Sequence, residues 1–205
     1  MESINTEKLI LASKSPRRKE LLEQIGIKID IFPSDIDEES ILIKNPEDYV
    51  KNLSRLKAEN IALVFPDAWV IGADTIVVVQ DEILGKPQSK AHAMEMLDKL
   101  NNCEHSVFTG FCVTHDKKHV LINKSVETKV YFKCLSDEEI NWYVDTKESF
   151  DKAGAYAIQG IGAFLVKRIC GSYSNVVGLP VCEVVETLIN LNIIQFKDLR
   201  YHGSH

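Results

Sequence analysis

Apolar residues along this chain recur at two periods, and the switches between them mark out its elements. "KLILA" (8–12) is a short apolar run, the pattern of a buried strand. Leu21, Leu22 and Ile25 then give a helical stripe. Ser15 stands at the cap position, Pro16 at the first helical position and Gly26 at the end. "IKIDIF" (27–32) alternates and predicts a second strand, followed by an acidic loop, "SDIDEES" (34–40). Behind Asn45 and Pro46, the residues Tyr49, Val50, Leu53, Leu56 and Ile61 return to near-helical spacing. "AWVIGADTIVVVQDEILGKP" (68–87) predicts a strand, an Asp-containing break, a strand, a tight turn and a strand. "SKAHAMEMLDKLNN" (89–102) predicts a helix capped by Ser89. Two strands should flank the polar turn "HDKKH" (115–119), and Ser136 with Glu139 forms a capping box for the next helix. "KAGAYAIQGIGAFLVKRICGSYSNVVGLP" (152–180) is punctuated by glycine and predicts strand and loop. "VCEVVETLINLN" (181–192) predicts a final helix.

Helices and strands alternate, but several strands are sequence neighbours. That pattern favours an α/β fold with a mixed, twisted central sheet flanked by helices over a strictly parallel one. No internal repeat or linker-like stretch interrupts the chain. Residues 1–205 therefore read as one domain, two lobes around a cleft, with a polar flexible tail at 202–205.

The composition is that of an ordinary globular chain: 205 residues, 45% hydrophobic and 26% charged. The net charge of −6 argues against non-specific binding of nucleic acid or an anionic membrane. An anionic substrate is compatible with it only where basic residues cluster. No apolar run reaches the roughly 18 residues of a membrane span, and "MESINTEKLILASKS" does not read as a signal peptide. The five cysteines are scattered, without a C-x-x-C pair. The expectation is reduced, mostly buried thiols in a cytoplasm rather than a zinc site.

Against this background a few short stretches carry chemistry. "SKSPRR" (13–18) puts Arg17 and Arg18 in the first turn of a helix, where the dipole disfavours positive charge. A helix N-terminus is also an anion site, and arginines beside it would add planar donors for phosphate. Solvent-facing arginines paired with Glu20 or Glu23 are the plainer alternative. In "GADT" (72–75), Asp74 at a strand end is placed as a metal ligand or general base, or as an Asx-turn. Asp35, Asp37, Glu38 and Glu39 are a solvated acidic run, or partners of Asp74 in holding Mg²⁺ with substrate phosphates. Lys57 and Lys86 are surface charges singly, and with the arginine pair they form a positive wall suited to a triphosphate. In "DKAGAYAIQG" (151–160), Lys152 is basic, and Gln159 carries an amide that can donate to and accept from a base edge such as uracil's.

Taken together these segments resemble the Maf family of nucleoside triphosphate pyrophosphatases. "LASKSPRRKELL", "DIDEES", "RLKAENIA", "IGADTIVVVQDEILGKP", "HAMEMLDKL", "HSVFTG", "DKAGAYAIQG" and "GSYSNVVGLP" occur in the family's order over nearly the whole chain. The resemblance implies hydrolysis of a nucleoside triphosphate to monophosphate and pyrophosphate with a divalent metal, Mg²⁺ or Mn²⁺. It also implies a cleft-containing fold like that of inosine triphosphate pyrophosphatases, a cytoplasmic setting and a homodimer. Carried over by motif, Asp74 is the proton acceptor, with Glu38 as a second metal ligand. Arg17, Thr75 and Gln159 take the specificity positions. Ser13, Arg18, Lys57 and Lys86 complete the polar set. The "DKAGAY" form is similar to the subgroup acting on dTTP and UTP. A 7-methyl-GTP specificity, or a non-catalytic regulator of septum formation, stands as the alternative. Ala157 stands where the family usually has glycine, and Gly85 where part of the subgroup has glutamate.

Overall fold

The computed structural model describes residues 5–38 and 45–195. In chain order these form β1 (Leu9–Leu11), α1 (Pro16–Gln24), β2 (Asp30–Ile31), α2 (Pro46–Val64), β3 (Trp69–Val79), β4 (Glu82–Leu84), α3 (Lys90–Leu100), β5 (Glu104–His115), β6 (Val120–Phe132), α4 (Asp137–Asp145), β7 (Val166–Cys170), α5 (Tyr173–Val177) and α6 (Val181–Asn190). Glu39, Ser40 and the expected tail at 202–205 lie outside the described residues.

The strands make one seven-stranded mixed sheet, ordered β2-β1-β3-β5-β6-β7, with β4 also on β3. β1 runs parallel to β2 and β3, and every other pairing is antiparallel. β3 is the long central strand. Its β5 edge is paired from Val70 to Val78. Its other edge takes β1 at Trp69–Ile71 and then β4 at Val77–Val79. Between them, residues 72–76 have no strand on that edge among the described residues. The break expected at Asp74 therefore does not occur in β3. Pairing with β5 keeps the backbone extended through Asp74, and it is the neighbouring strand that stops.

Side chains alternate across the sheet. Ile10, Ala12, Val70 and Cys112 pack under Ala58, Ile61 and Ala62 of α2 on one face. On the other face Leu9, Leu11, Ile71 and Phe111 lie under α1, α5 and α6. Further along that face, Val77, Val79, Val107 and Val130 lie under α3 and α4. Two glycines let α2 come unusually close. A methyl group at Gly72 would stand 2.2 Å from the Ser54 carbonyl oxygen, and one at Gly110 would stand 2.2 Å from that of Val50.

Three caps form as the sequence predicts. Asn45 accepts from Asp48 N–H, Ser89 from His92 N–H, and Ser136 and Glu139 bond reciprocally. Ser15 holds the cap position of α1 without a side-chain bond, and Ile25 is exposed rather than packed. "IKIDIF" pairs only over Asp30–Ile31. The glycine-rich segment holds β7, two 3-10 helices (Ala153–Ala155 and Gly160–Leu165) and α5. Hydrophobic period alone missed this last helix, because it spans only five residues. It rests on Ser172, which accepts from Asn175 N–H, and it ends at Gly178 with φ 127°. All five cysteines are free, and Cys134, Cys170 and Cys182 are exposed, against the expectation of mostly buried thiols. No described helix is long and apolar enough to cross a membrane.

Candidate active site

The gap on the edge of β3 opens into a cleft of about 940 Å³ at the carboxyl end of β1. The order β2-β1-β3 reverses here, with α1 after β1 on one face and α2 before β3 on the other, and open α/β sheets bind ligands at such switch points. The topology brings all ten residues singled out by sequence to this cleft: Ser13, Arg17, Arg18, Glu38, Lys57, Asp74, Thr75, Lys86, Lys152 and Gln159.

The acidic centre comes from the α2 face. Lys57 Nζ donates to Asp74 Oδ1 at 2.7 Å and pairs with Glu38 Oε1 at 2.9 Å. Asp74 and Lys57 are buried, while half of the Glu38 side chain reaches solvent. Because Gly72 and Asp74 face the same side of β3, the close approach of α2 at Gly72 sets Lys57 over Asp74. Lys57 is thus a counter-ion shared by two acids rather than a free member of a positive wall. Tyr49, which sequence reasoning passed over as part of the helical stripe, also lines the cleft. Burial, then the charges of Asp74 and Glu38, push its phenol pKa up.

Arg18 pairs with neither Glu20 nor Glu23. Its Nε donates to Gly178 O at 2.8 Å, and one terminal nitrogen donates to Ser13 Oγ at 3.0 Å and Ala73 O at 2.9 Å. The other terminal nitrogen donates to Thr75 Oγ1 at 3.1 Å. Ala73 O sits on the open edge of β3, so the guanidinium takes the place of the missing strand there. Thr75 passes the chain to Thr109 Oγ1 at 2.9 Å, and Thr109 donates to Asn175 O at 3.0 Å. Burial lowers the Arg18 pKa and Asp74 pulls it back up. The group stays charged, with one of its five N–H donors uncommitted among the described residues.

Arg17 reaches across the cleft mouth to Asp151 at 3.0 Å, and Lys152 holds the other oxygen of the same carboxylate. Burial raises the Asp151 pKa, but the hydrogen bonds from Lys152 and Arg17 outweigh it and leave the net shift downward. Lys86 is exposed at the end of β4 and makes no hydrogen bond or ion pair among the described residues. The loop behind it is tied by Gly154 N–H to Gly85 O at 3.0 Å. A methyl group at Gly85 would meet nothing within 4 Å among the described residues, so they set no steric demand for glycine there. Ala157 is buried on the cleft wall. The Gln159 amide makes no hydrogen bond among the described residues and lines the cleft.

Among the described residues, six basic side chains (Lys14, Arg17, Arg18, Lys57, Lys86 and Lys152) and four acidic ones (Asp35, Glu38, Asp74 and Asp151) line the cleft. The chain as a whole carries −6, so the cleft concentrates positive charge against the overall sign. Such a surface suits an anion with several phosphates, held at one end by cations and at the other by a neutral amide.

The family model described as "Maf-like protein" matches residues 8–191. A dTTP/UTP pyrophosphatase of Syntrophus aciditrophicus (strain SB) is 49% identical over 201 residues, 98% of each chain. One of Geobacter sulfurreducens is 52% identical over 181 residues, 88% of this chain and 95% of that one. Among solved structures, the Staphylococcus aureus Ham1 protein covers 78% of this chain and 80% of its own at 14% identity, with a TM-score of 0.48.

Proposed function

The chain belongs to the Maf-like protein family, and from that premise we propose that it is a nucleoside triphosphate pyrophosphatase that hydrolyses dTTP and UTP to the monophosphate and pyrophosphate, a house-cleaning activity on the nucleotide pool. The observation that carries the site assignment is the meeting, in one cleft, of the Asp74–Lys57–Glu38 cluster, uncommitted basic groups and an unengaged Gln159 amide.

The reaction needs water to attack the α-phosphorus while the bond to the β-phosphoryl oxygen breaks. In this reading Asp74 orients that water and accepts its proton, and Lys57 holds the carboxylate in place. Lys86, Arg17 and the remaining N–H of Arg18 bind the phosphates and stabilise the charge of the leaving pyrophosphate. Lys152 contributes to the same field from across the cleft. Gln159 reads the base edge. Thr75, already engaged with Arg18 and Thr109, acts on specificity by fixing the wall rather than by a free hydroxyl.

A divalent cation fits this donor set. Lys57 takes one oxygen of each acid, Asp74 Oδ1 and Glu38 Oε1, and among the described residues the second oxygen of each is left for a cation. No group of three or more metal-ligating side chains occurs among the described residues. That agrees with Mg²⁺, which commonly takes one or two carboxylates and completes its shell with phosphate and water. Bound Mg²⁺ or Mn²⁺ would draw charge from the phosphate oxygens, with Asp74 and Glu38 as its protein ligands. A cytoplasmic homodimer belongs to the same reading and is carried by the family resemblance alone.

The test is pyrophosphate release from a panel of dTTP, UTP, CTP, ATP, GTP and 7-methyl-GTP with Mg²⁺ or Mn²⁺. We expect dTTP and UTP to turn over fastest, and Asp74→Asn to lose at least roughly 100-fold in kcat, the size of a general-base contribution. Near-normal release by Asp74→Asn would sink the site assignment, and preference for 7-methyl-GTP would sink the substrate.

A further inference from the structure

Gln159 opens the 3-10 helix Gly160–Leu165 and occupies its cap position, yet its side chain makes no cap bond. The helix end is satisfied from elsewhere. Glu148, in the loop after α4, turns its carboxylate onto this segment. Oε2 accepts from Ile161 N–H at 3.0 Å, and Oε1 accepts from Gly162 N–H at 2.9 Å. Oε1 also accepts from the Tyr143 hydroxyl at 3.2 Å, and that hydroxyl in turn accepts from Ala157 N–H at 3.1 Å. The carboxylate therefore fixes residues 157, 161 and 162, which bracket Gln159 on both sides. Two glycines make room for it. A methyl group at Gly160 would lie 2.6 Å from Glu148 Oε2, and one at Gly162 would lie 2.7 Å from the Tyr143 hydroxyl. Gly160 also has φ +67°, which glycine adopts without strain.

The competition is simple. The first backbone N–H groups of a helix have no partner within it and draw side-chain acceptors in reach. Here those groups are already taken by an ionised carboxylate, a stronger acceptor than an amide oxygen. The Gln159 amide has nothing left to bond on its own backbone and keeps both its donor and its acceptor for a ligand.

We propose that Glu148 is a positioning residue for substrate selectivity, capping the 160–165 turn in place of Gln159 so that the Gln159 amide stays free and aimed into the cleft. This rests on the reading that Gln159 meets the nucleobase. Glu148 does not line the cleft and touches no reacting atom. It acts on which base is accepted, through the loop.

The test compares kcat/KM for UTP over CTP in the wild type, Glu148→Gln, Tyr143→Phe, Gln159→Ala and the Glu148→Gln/Gln159→Ala double variant. Amide hydrogen exchange at Ile161 and Gly162 is followed in parallel. Glu148→Gln keeps the shape but puts an amide NH₂ against a backbone N–H, so exchange should quicken at 157–162 and not in the sheet. The UTP preference should fall at least fivefold, mostly through KM for UTP, with a smaller fall for Tyr143→Phe. The double variant should lose no more than Gln159→Ala alone, because once the amide is gone there is nothing left to position. A purely structural role would instead lower both substrates together and add to the Gln159 effect. If Glu148→Gln does not fold, Tyr143→Phe carries the comparison. The proposal is overturned if the folded variants keep the ratio within twofold of wild type, or if the double variant is additive. A wild type that takes UTP and CTP alike overturns it too, by removing the base contact. A wild type that releases no pyrophosphate from either nucleotide overturns the proposed function itself, a distinct result.

Discussion

Arg18 makes four hydrogen bonds to protein atoms, while its neighbour Arg17 spans the cleft mouth to a half-exposed carboxylate. Adjacent residues of one type thus answer to different free energies. Removing the Arg18 guanidinium strands the Ala73 carbonyl, leaves Gly178 O with only the 3.3 Å bond from Thr75 Oγ1, and takes a donor from both Ser13 and Thr75. Lost partners of partly buried polar groups cost about 1–3 kcal/mol each when unsatisfied, less where water enters. Arg18→Ala is therefore expected to lower stability by about 2–4 kcal/mol and to cripple turnover, a result read by urea denaturation beside kinetics. Arg17→Ala removes a pair whose carboxylate is solvent-exposed, of the kind that contributes about 0–1 kcal/mol. Its stability should stay near wild type while KM for the nucleotide rises about tenfold or more, the scale of one charged hydrogen bond. A Tm drop without a KM change in Arg17→Ala would return it to the status of an ordinary surface ion pair. This also redistributes the roles expected from sequence. Arg17 stays at the ligand side, whereas Arg18 is first the element that replaces a missing strand.

At the scale of elements, the site depends on how closely α2 rides on β3 and β5. Gly72 admits the Ser54 carbonyl and Ala58 N–H of the very turn that carries Lys57. A methyl group there would meet backbone at 2.2 and 2.7 Å, which neither partner can relieve by rotating a side chain. Gly72→Ala should therefore cost about 3 kcal/mol, at the upper end for overpacking. It should also cut kcat more than an equally destabilising core change such as Leu97→Ala, because Lys57 is lifted off Asp74. Matched urea curves and rates for the two variants decide it; equal rates at equal stability would remove Gly72 from the machinery. Much of this architecture was legible in the sequence. Period, caps and the Ser136–Glu139 box located every described α-helix but the five-residue α5, and strand-strand neighbours gave the mixed sheet. The ten candidate side chains came from motif order and charges set where a helix dipole disfavours them. What escaped was whatever depends on contacts distant in sequence. Asp74 looked like a strand end because glycine and aspartate usually end strands, but pairing with β5 overrode that preference. Glu148 carried no local signal at all, since its partners lie 5 to 14 residues away and two of them are backbone N–H groups.

The whole molecule sets a negative sum against a locally positive cleft and, beneath that cleft, a buried histidine. His105 on β5 is 3% exposed, with its Nε2 2.8 Å from the hydroxyl of Tyr156, a residue of the cleft wall. Phe132 and Tyr156 pack on its ring edge-on, at centroid distances of 5.0 and 5.3 Å, and its Nδ1 has no partner among the described residues. Burial pushes its pKa down to about 4, with Glu104 pulling weakly the other way. In the unfolded chain the same group titrates near 6.5. The unfolded state therefore takes up a proton as pH falls below about 6.5, and the folded state does not until about 4. Stability conferred by neutral His105 is complete above 6.5, declines by up to about 1.4 kcal/mol per pH unit below it, and is gone below about 4. The total loss is roughly 3 kcal/mol. Carboxylates held down by their partners, such as Asp151 and Glu7, act at lower pH, where their unfolded forms begin to protonate. The interval from 6.5 to 5 therefore isolates the histidine. Urea unfolding between pH 7 and 5 should show a falling midpoint in the wild type. His105→Gln keeps a hydrogen-bonding partner for Tyr156 but cannot titrate, and it should give a nearly flat profile over the same interval, whatever its stability at pH 7. Parallel slopes for the two proteins would mean that the acid sensitivity lies elsewhere.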